Sequence, residues 1–331
     1  MTEIIQSRDK KILVTGATGF IGRHLCDRLL DHGFVVRALV REGSATLLKP
    51  KSKLEQCVGE LLDPDFLLKA CDDIDTIVHL AGLAHVARSS HKQLHKINVD
   101  GTKLLLAAAN EQKVEHFIFM SSSLAGTTNN QGLATTAYGR TKSAAEKLVM
   151  SHQKAGNMKC VILRPVNVYG PGMRGNLALL ISLVLRRLAL PLPRLGTSLS
   201  LIGLEDVCDA VCLVIMSESG FGKTYTLTDG VHYTISDIEE AIYRQAGRNL
   251  PSWKTPRLLL YVACLCVESL GKFLSIFGFR IGLLNSAGIK TYNNLTKDNI
   301  FGNEEIKEEL GFRPKSNFYQ SLSRIVEVLD S

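Results

Sequence analysis

Short apolar runs alternate with helix-periodic segments along residues 11–165, and this alternation is the first indication of the fold. Ile12-Leu13-Val14 is the continuous apolar run expected of a strand buried on both faces, after which Phe20, Ile21, Leu25, Leu29 and Leu30 recur at helical spacing. The same pattern predicts strands over 35–40, 54–58, 76–80, 117–120 and 161–163, and helices over 102–111 and 137–152. Such alternation predicts an α/β fold with a doubly wound parallel sheet.

Beyond Pro165 the pattern changes to Pro/Gly-containing loops and helices without regular strand alternation. The expected organisation is a main domain over 9–170, joined by 200–230, and a smaller interleaved region over 171–331. A short strand at 225–227 is expected to return to the main sheet. The apolar stretch 258–284 is broken by Glu268, Lys272 and Arg280, too often for a bilayer span, and reads as a buried or amphipathic helix. Arg257, Lys272 and Arg280 flank its apolar faces, so contact with a membrane surface is a minor, disfavoured option.

Between the first strand and helix the chain reads Thr15-Gly16-Ala17-Thr18-Gly19-Phe20-Ile21-Gly22. Glycines spaced three apart allow a tight turn, close approach of backbone to a phosphate, and close packing of helix on strand. With free N–H groups at the helix start, this turn is the expected seat of a dinucleotide pyrophosphate.

Composition narrows the classes. The formal charge of +7 is not gathered into a basic run, and no aromatic-basic interleaving points to nucleic acid. Eight cysteines show no CxxC and no Cys/His metal spacing, so no metal site is expected. Reduced core cysteines, with no secretory pattern in residues 1–10, predict a cytoplasmic protein.

Tyr138 and Lys142 stand four apart in a predicted helix and share one face. A phenol titrates near pH 10, and a neighbouring ammonium and a positively charged nicotinamide are both expected to lower that value and make Tyr138 a general acid/base. Ser121-Ser122-Ser123 ends the fifth predicted strand, where ligands bind in such sheets. Ser122 is the expected hydrogen-bonding partner of the same substrate oxygen.

These elements, with His79-Leu80-Ala81-Gly82, Ile97-Asn98-Val99-Asp100-Gly101-Thr102, the segment Leu163-Arg164-Pro165 through Gly172, and Leu310–Pro314, resemble the extended short-chain dehydrogenase/reductase family. The resemblance is to its nucleotide-sugar epimerase, dehydratase and reductase branch and covers nearly the whole chain. It implies a Rossmann domain with an interleaved substrate-binding region, and catalysis by Ser122, Tyr138 and Lys142. It places the cofactor on Gly16, Thr18, Gly19, Phe20, Ile21, Gly22, Glu60, Leu61, Leu80, Ala81, Gly82, Asn98, Tyr138, Lys142 and Pro165. A UDP-sugar is implied at Ser122, Ser123, Asn167, Asn176 and Leu177. Many relatives dimerise through paired helices, so a homodimer through 102–111 and 138–152 is an open option.

Dehydratases of this branch carry Asp-Glu after the strand-end Ser/Thr, where this chain has Ser123-Leu124, so dehydration is disfavoured. The second predicted strand ends in Val40-Arg41 without an acid at its tip, which favours NADP(H) over NAD(H). That tilts the expected reaction to reduction of a UDP-4-keto-6-deoxy-N-acetylhexosamine, as in the similar bacterial reductases that make UDP-N-acetylquinovosamine for surface polysaccharide. The alternatives are UDP-glucose or UDP-N-acetylglucosamine 4-epimerisation and, from another class, a non-catalytic dinucleotide-binding sensor or scaffold. Two departures from the family are a short 122–138 segment and Leu199 where an arginine commonly meets the UDP phosphates. Arg194 or Arg174 is the expected substitute.

Overall fold

The computed structural model describes residues 10–84, 91–129, 131–156, 158–217, 219–276 and 288–330. In chain order the first elements are β1 (Lys11–Thr15), α1 (Phe20–Asp31), β2 (Val35–Val40), β3 (Leu54–Val58), α2 (Pro64–Cys71) and β4 (Thr76–His79). They are followed by α3 (His91–His95), α4 (Gly101–Glu111), β5 (His116–Met120), α5 (Ser123–Gly126), α6 (Ala137–Lys154) and β6 (Lys159–Pro165). Next come β7 (Asn167–Tyr169), α7 (Asn176–Leu185), β8 (Ser198–Gly203), α8 (Leu204–Ser217), β9 (Thr224–Leu227) and β10 (His232–Thr234). The last helices are α9 (Ile235–Gln245), α10 (Arg257–Ile276), α11 (Ile289–Thr296), α12 (Glu304–Leu310) and α13 (Phe318–Asp330).

The chain divides into two compact units. The first comprises Met1–Val166, Leu204–Leu227 and Gly302–Arg313, and holds a seven-stranded parallel sheet ordered β3-β2-β1-β4-β5-β6-β9. Ile12, Leu13 and Val14 are fully buried because β1 lies between β2 and β4 with helices over both faces, which is why its sequence shows no polar alternation. The strand order reverses between β1 and β4. In open α/β sheets the ligand crevice lies beyond the carboxyl ends of the strands at such a reversal, and that is where the glycine turn stands.

β9 joins the main sheet as its pattern predicted. The return of α12 to this unit was not foreseen: Glu309 takes a hydrogen bond from Tyr225 Oη (2.5 Å) and pairs with Lys223 Nζ (2.6 Å).

The second unit comprises Asn167–Gly203, Thr228–Phe301 and Pro314–Ser331. Its three-stranded sheet, ordered β10-β8-β7, adds strands that the irregular pattern beyond Pro165 does not predict. These strands are three to six residues long and separated by loops, too short for a periodic signal. Asp229 fastens the unit internally by accepting hydrogen bonds from Tyr233 Oη (2.6 Å) and Tyr169 Oη (3.1 Å).

Candidate active site

The turn after β1 is built as its glycines require. Gly16 has φ of +69°, a left-handed conformation that side chains disfavour, and a Cβ there would stand 2.8 Å from Ala81 N. A Cβ on Gly22 would lie 2.2 Å from Gly16 O, so only glycine lets α1 start so close to the turn. Gly19 is the N-cap of α1, no side chain caps it, and the first turn carries no acid. A cradle of bare Cα atoms leading into an uncapped helix start fits the pyrophosphate of a dinucleotide. Thr18, Phe20 and Ile21 belong to the same turn and helix start.

A buried polar chain braces this turn against β4. Ala81 N donates to Thr15 Oγ1 (3.2 Å), and Thr15 Oγ1 lies 2.6 Å from His79 Nδ1. His79 Nε2 lies 2.9 Å from Thr102 Oγ1, whose proton goes to Asn98 O (2.8 Å). Because Thr102 gives away its only proton, it accepts from Nε2–H, leaving Nδ1 to accept from Thr15. Burial, then the charge of Lys142, hold the imidazole pKa down at about 3, so the ring is neutral as this chain requires.

Asn98 joins the loop after β4 to α6. It accepts from Leu83 N (2.7 Å) through Oδ1, and its Nδ2 donates to Leu83 O (3.1 Å) and Thr141 Oγ1 (3.0 Å). The Gly82 Cα faces the same group, since a Cβ there would lie 3.1 Å from Asn98 Oδ1 and 3.5 Å from Lys142 Nζ.

On α6, Tyr138 is half-buried and the Lys142 side chain is buried. Lys142 Nζ donates to Met120 O (2.7 Å) and lies 4.5 Å from the centre of the Phe119 ring. Desolvation brings its pKa down to about 8, opposed by the charge of Glu146. The expected lowering of the Tyr138 phenol by this ammonium is not what the structure gives. Desolvation dominates and pushes the phenol up to about 12.

Ser122 caps α5 by accepting from Leu124 N (3.3 Å), while Ser123 is buried. A Cβ on Gly139 would come within 2.3 Å of Leu124 O, so the turn carrying Ser122 touches the start of α6 beside Tyr138. Arg41 directly follows β2 and is exposed, as is Glu60 after β3; Leu61 is buried. Leu80 follows β4, its N–H donating to Thr15 O (3.2 Å), and Pro165 ends β6.

The remaining expected residues belong to the second unit: Asn167 opens β7, Asn176 and Leu177 open α7, and Arg194 is exposed before β8. Leu199 packs against the apolar cluster of Leu192, Leu195 and Ile235, so its position is built for an apolar side chain rather than for a phosphate-binding arginine.

Several members of this site were missed in the sequence. Glu146 accepts from Ser121 Oγ (2.5 Å), Arg164 Nε (2.8 Å) and Arg164 Nη2 (2.6 Å). The available signal was Glu146 standing four residues past Lys142 on the face already marked by Tyr138. Thr15 and Thr102 stand inside the glycine-turn and Asn98 motifs, but their partners, like those of Thr141, had no sequence signal, because hydroxyl partners are set by tertiary contact.

The sheet order, the glycine turn at its reversal and the Tyr138–Lys142 face define an α/β protein of Rossmann type. The chain belongs to the NAD dependent epimerase/dehydratase family, whose model matches residues 12–227. It is 29% identical to a UDP-glucose 4-epimerase of Vibrio cholerae over 80% of this chain and 82% of that one. It is 26% identical to a 3 beta-hydroxysteroid dehydrogenase/Delta 5-->4-isomerase of Mycobacterium tuberculosis over 95% and 88%. The fold matches the UDP-glucose 4-epimerase of Thermotoga maritima with UDP-glucose, with TM-score 0.75, 22% identity and coverage of 97% and 98%.

Proposed function

We propose that this chain is an NAD(P)-dependent oxidoreductase acting at carbon 4 of a UDP-sugar, with net reduction of a 4-keto-6-deoxy-N-acetylhexosamine as its reaction. The observation that carries this reading is the meeting of Tyr138, Lys142 and the Ser122 turn beyond the end of β5, beside the Gly82 loop. Gly16, Gly19 and Gly22, with the Leu80–Gly82 loop, would hold the dinucleotide, which would supply the hydride when bound. Tyr138 gives its proton to the carbonyl oxygen, Ser122 donates a hydrogen bond to that oxygen, and the Lys142 cation stabilises the phenolate left behind. Asn167, Asn176, Leu177 and Arg194 are assigned to the UDP moiety.

Arg41 at the tip of β2 favours a 2′-phosphate and hence NADPH, the cofactor a net reductase consumes. The Vibrio cholerae relative favours epimerisation as the second reading.

Purified protein is to be incubated with the keto sugar, UDP-glucose or UDP-N-acetylglucosamine, and a 3β-hydroxysteroid as comparison alcohol. Stoichiometric NADPH oxidation with the keto sugar is the expected result. A C4 epimer formed without added cofactor would replace reduction by epimerisation. Tyr138→Phe is expected to lower kcat by about 10²–10⁴-fold and spare cofactor binding. Cofactor binding with no turnover on any substrate would leave the sensor reading.

A further inference from the structure

The helix α10 turns its apolar side chains outward. Among its described side chains only Cys264 is buried, and Tyr261 packs edge-on against Tyr292 of α11, 5.2 Å between ring centres. Leu258, Leu259, Val262, Leu265 and Leu270 fall on one half of the helix and are each between 36% and 73% exposed. No charge interrupts that half, since Glu268 projects from the opposite side. A surface helix of a soluble protein normally shows the reverse arrangement.

The start of this helix is tied to a basic segment of the same unit. Arg257 Nη2 donates to Arg194 O (2.9 Å) and Thr255 N to Pro191 O (3.3 Å). The segment leading to Pro191 carries exposed Arg186 and Arg187 with exposed Leu188 and Leu190. Arg194, Arg257, Lys254 and the exposed Trp253, the only tryptophan in the chain, line an open cavity of about 440 Å³. Lys254 is paired with Glu239 at 2.8 Å, so the arginines carry the charge of the patch.

We propose that this face docks the protein reversibly on an anionic membrane surface, with the outer half of α10 entering the headgroup–acyl boundary and Arg186 and Arg187 meeting lipid phosphates. No helix among the described residues is long and apolar enough to cross a membrane, so α10 lies on the surface. Exposed Arg186 and Arg187, on the segment tied to the start of α10, complement an anionic bilayer, which also takes up the leucines. Lys272 and Arg280, read from sequence as flanking this face, lie outside the described side chains. The proposal is independent of the reaction assigned above.

The test is flotation of the full chain with vesicles of phosphatidylcholine alone or with about one-third phosphatidylglycerol. The protein is expected to float only with the anionic vesicles, and less so as salt is raised. Leu258→Ser with Val262→Ser should reduce binding at least about tenfold. Arg186→Gln with Arg187→Gln should reduce it about 25-fold, near fivefold per charge. Circular dichroism and melting should be unchanged in both variants, and if the serine variant misfolds the glutamine variant decides. Wild-type protein that floats with neither vesicle overturns the proposal. So do variants that bind like wild type, or light scattering that shows a dimer lost on Leu258→Ser without vesicle binding.

Discussion

The guanidinium of Arg164 grips both carboxylate oxygens of Glu146, at 2.8 and 2.6 Å, directly beneath the turn of α6 that carries Lys142. A bidentate pair with one nearly buried partner is costly to break from either side, and this one takes a third bond from Ser121. It binds β6, the end of β5 and α6 together under the Tyr138–Lys142 face.

Replacing Glu146 by Gln is therefore expected to cost about 3 kcal/mol of stability, read from a urea midpoint. It also removes the charge that favours the Lys142 cation. The alkaline limb of kcat/KM, near pH 8 in the wild type if it follows Lys142, should move to lower pH. An unmoved limb would show that Glu146 serves stability alone.

Asn98→Ala removes three hydrogen bonds at once and strands both backbone groups of Leu83. The expected loss is about 1–3 kcal/mol, with a larger proportional fall in kcat/KM because the Gly82 loop loses its tie to α6. Unfolding curves and steady-state rates measured on the same preparation separate the two effects.

Gly22→Ala places a methyl group 2.2 Å from Gly16 O, a contact that only a shift of α1 relieves. Expected consequences are about 1–3 kcal/mol of destabilisation and weaker dinucleotide binding, measurable by calorimetry and by quenching of protein fluorescence. Retained cofactor affinity would mean that the anion is held elsewhere.

Alkali should unfold the protein through its buried thiols. Burial pushes Cys26, Cys71 and Cys160 up to about 12 in the folded state, against an ordinary 9.0 once unfolded. Their contribution is complete below pH 9 and is lost as pH rises toward 12, because the unfolded chain releases protons that the folded chain keeps. Lys142, lowered to about 8, opposes this between pH 8 and 10.5, since the unfolded chain holds a proton there that the folded chain has lost. Burial raises Cys208 in the same direction, so four thiols outweigh one amine. Urea midpoints at pH 9 and pH 10 should show a net loss on the order of 4 kcal/mol per pH unit.

By itself the sequence determined the seven strands of the main sheet, the glycine turn and the pairing of Tyr138 with Lys142 on one helix face. All of these are local signals, set by side-chain periods of two or about four residues and by the need for bare Cα atoms near a turn. Tertiary structure alone decided the rest: the neutral tautomer of His79, the Asn98 bridge, the grip of Arg164 on Glu146, the second sheet, and the outward apolar face of α10. Each depends on groups that meet only once the chain is folded. Hydroxyls and carboxylates choose their partners by distance and burial, and an apolar stripe reads alike whether it faces a core or solvent. The same holds for Tyr138, where the spacing with Lys142 suggested a lowered phenol pKa and desolvation in the folded site raised it instead.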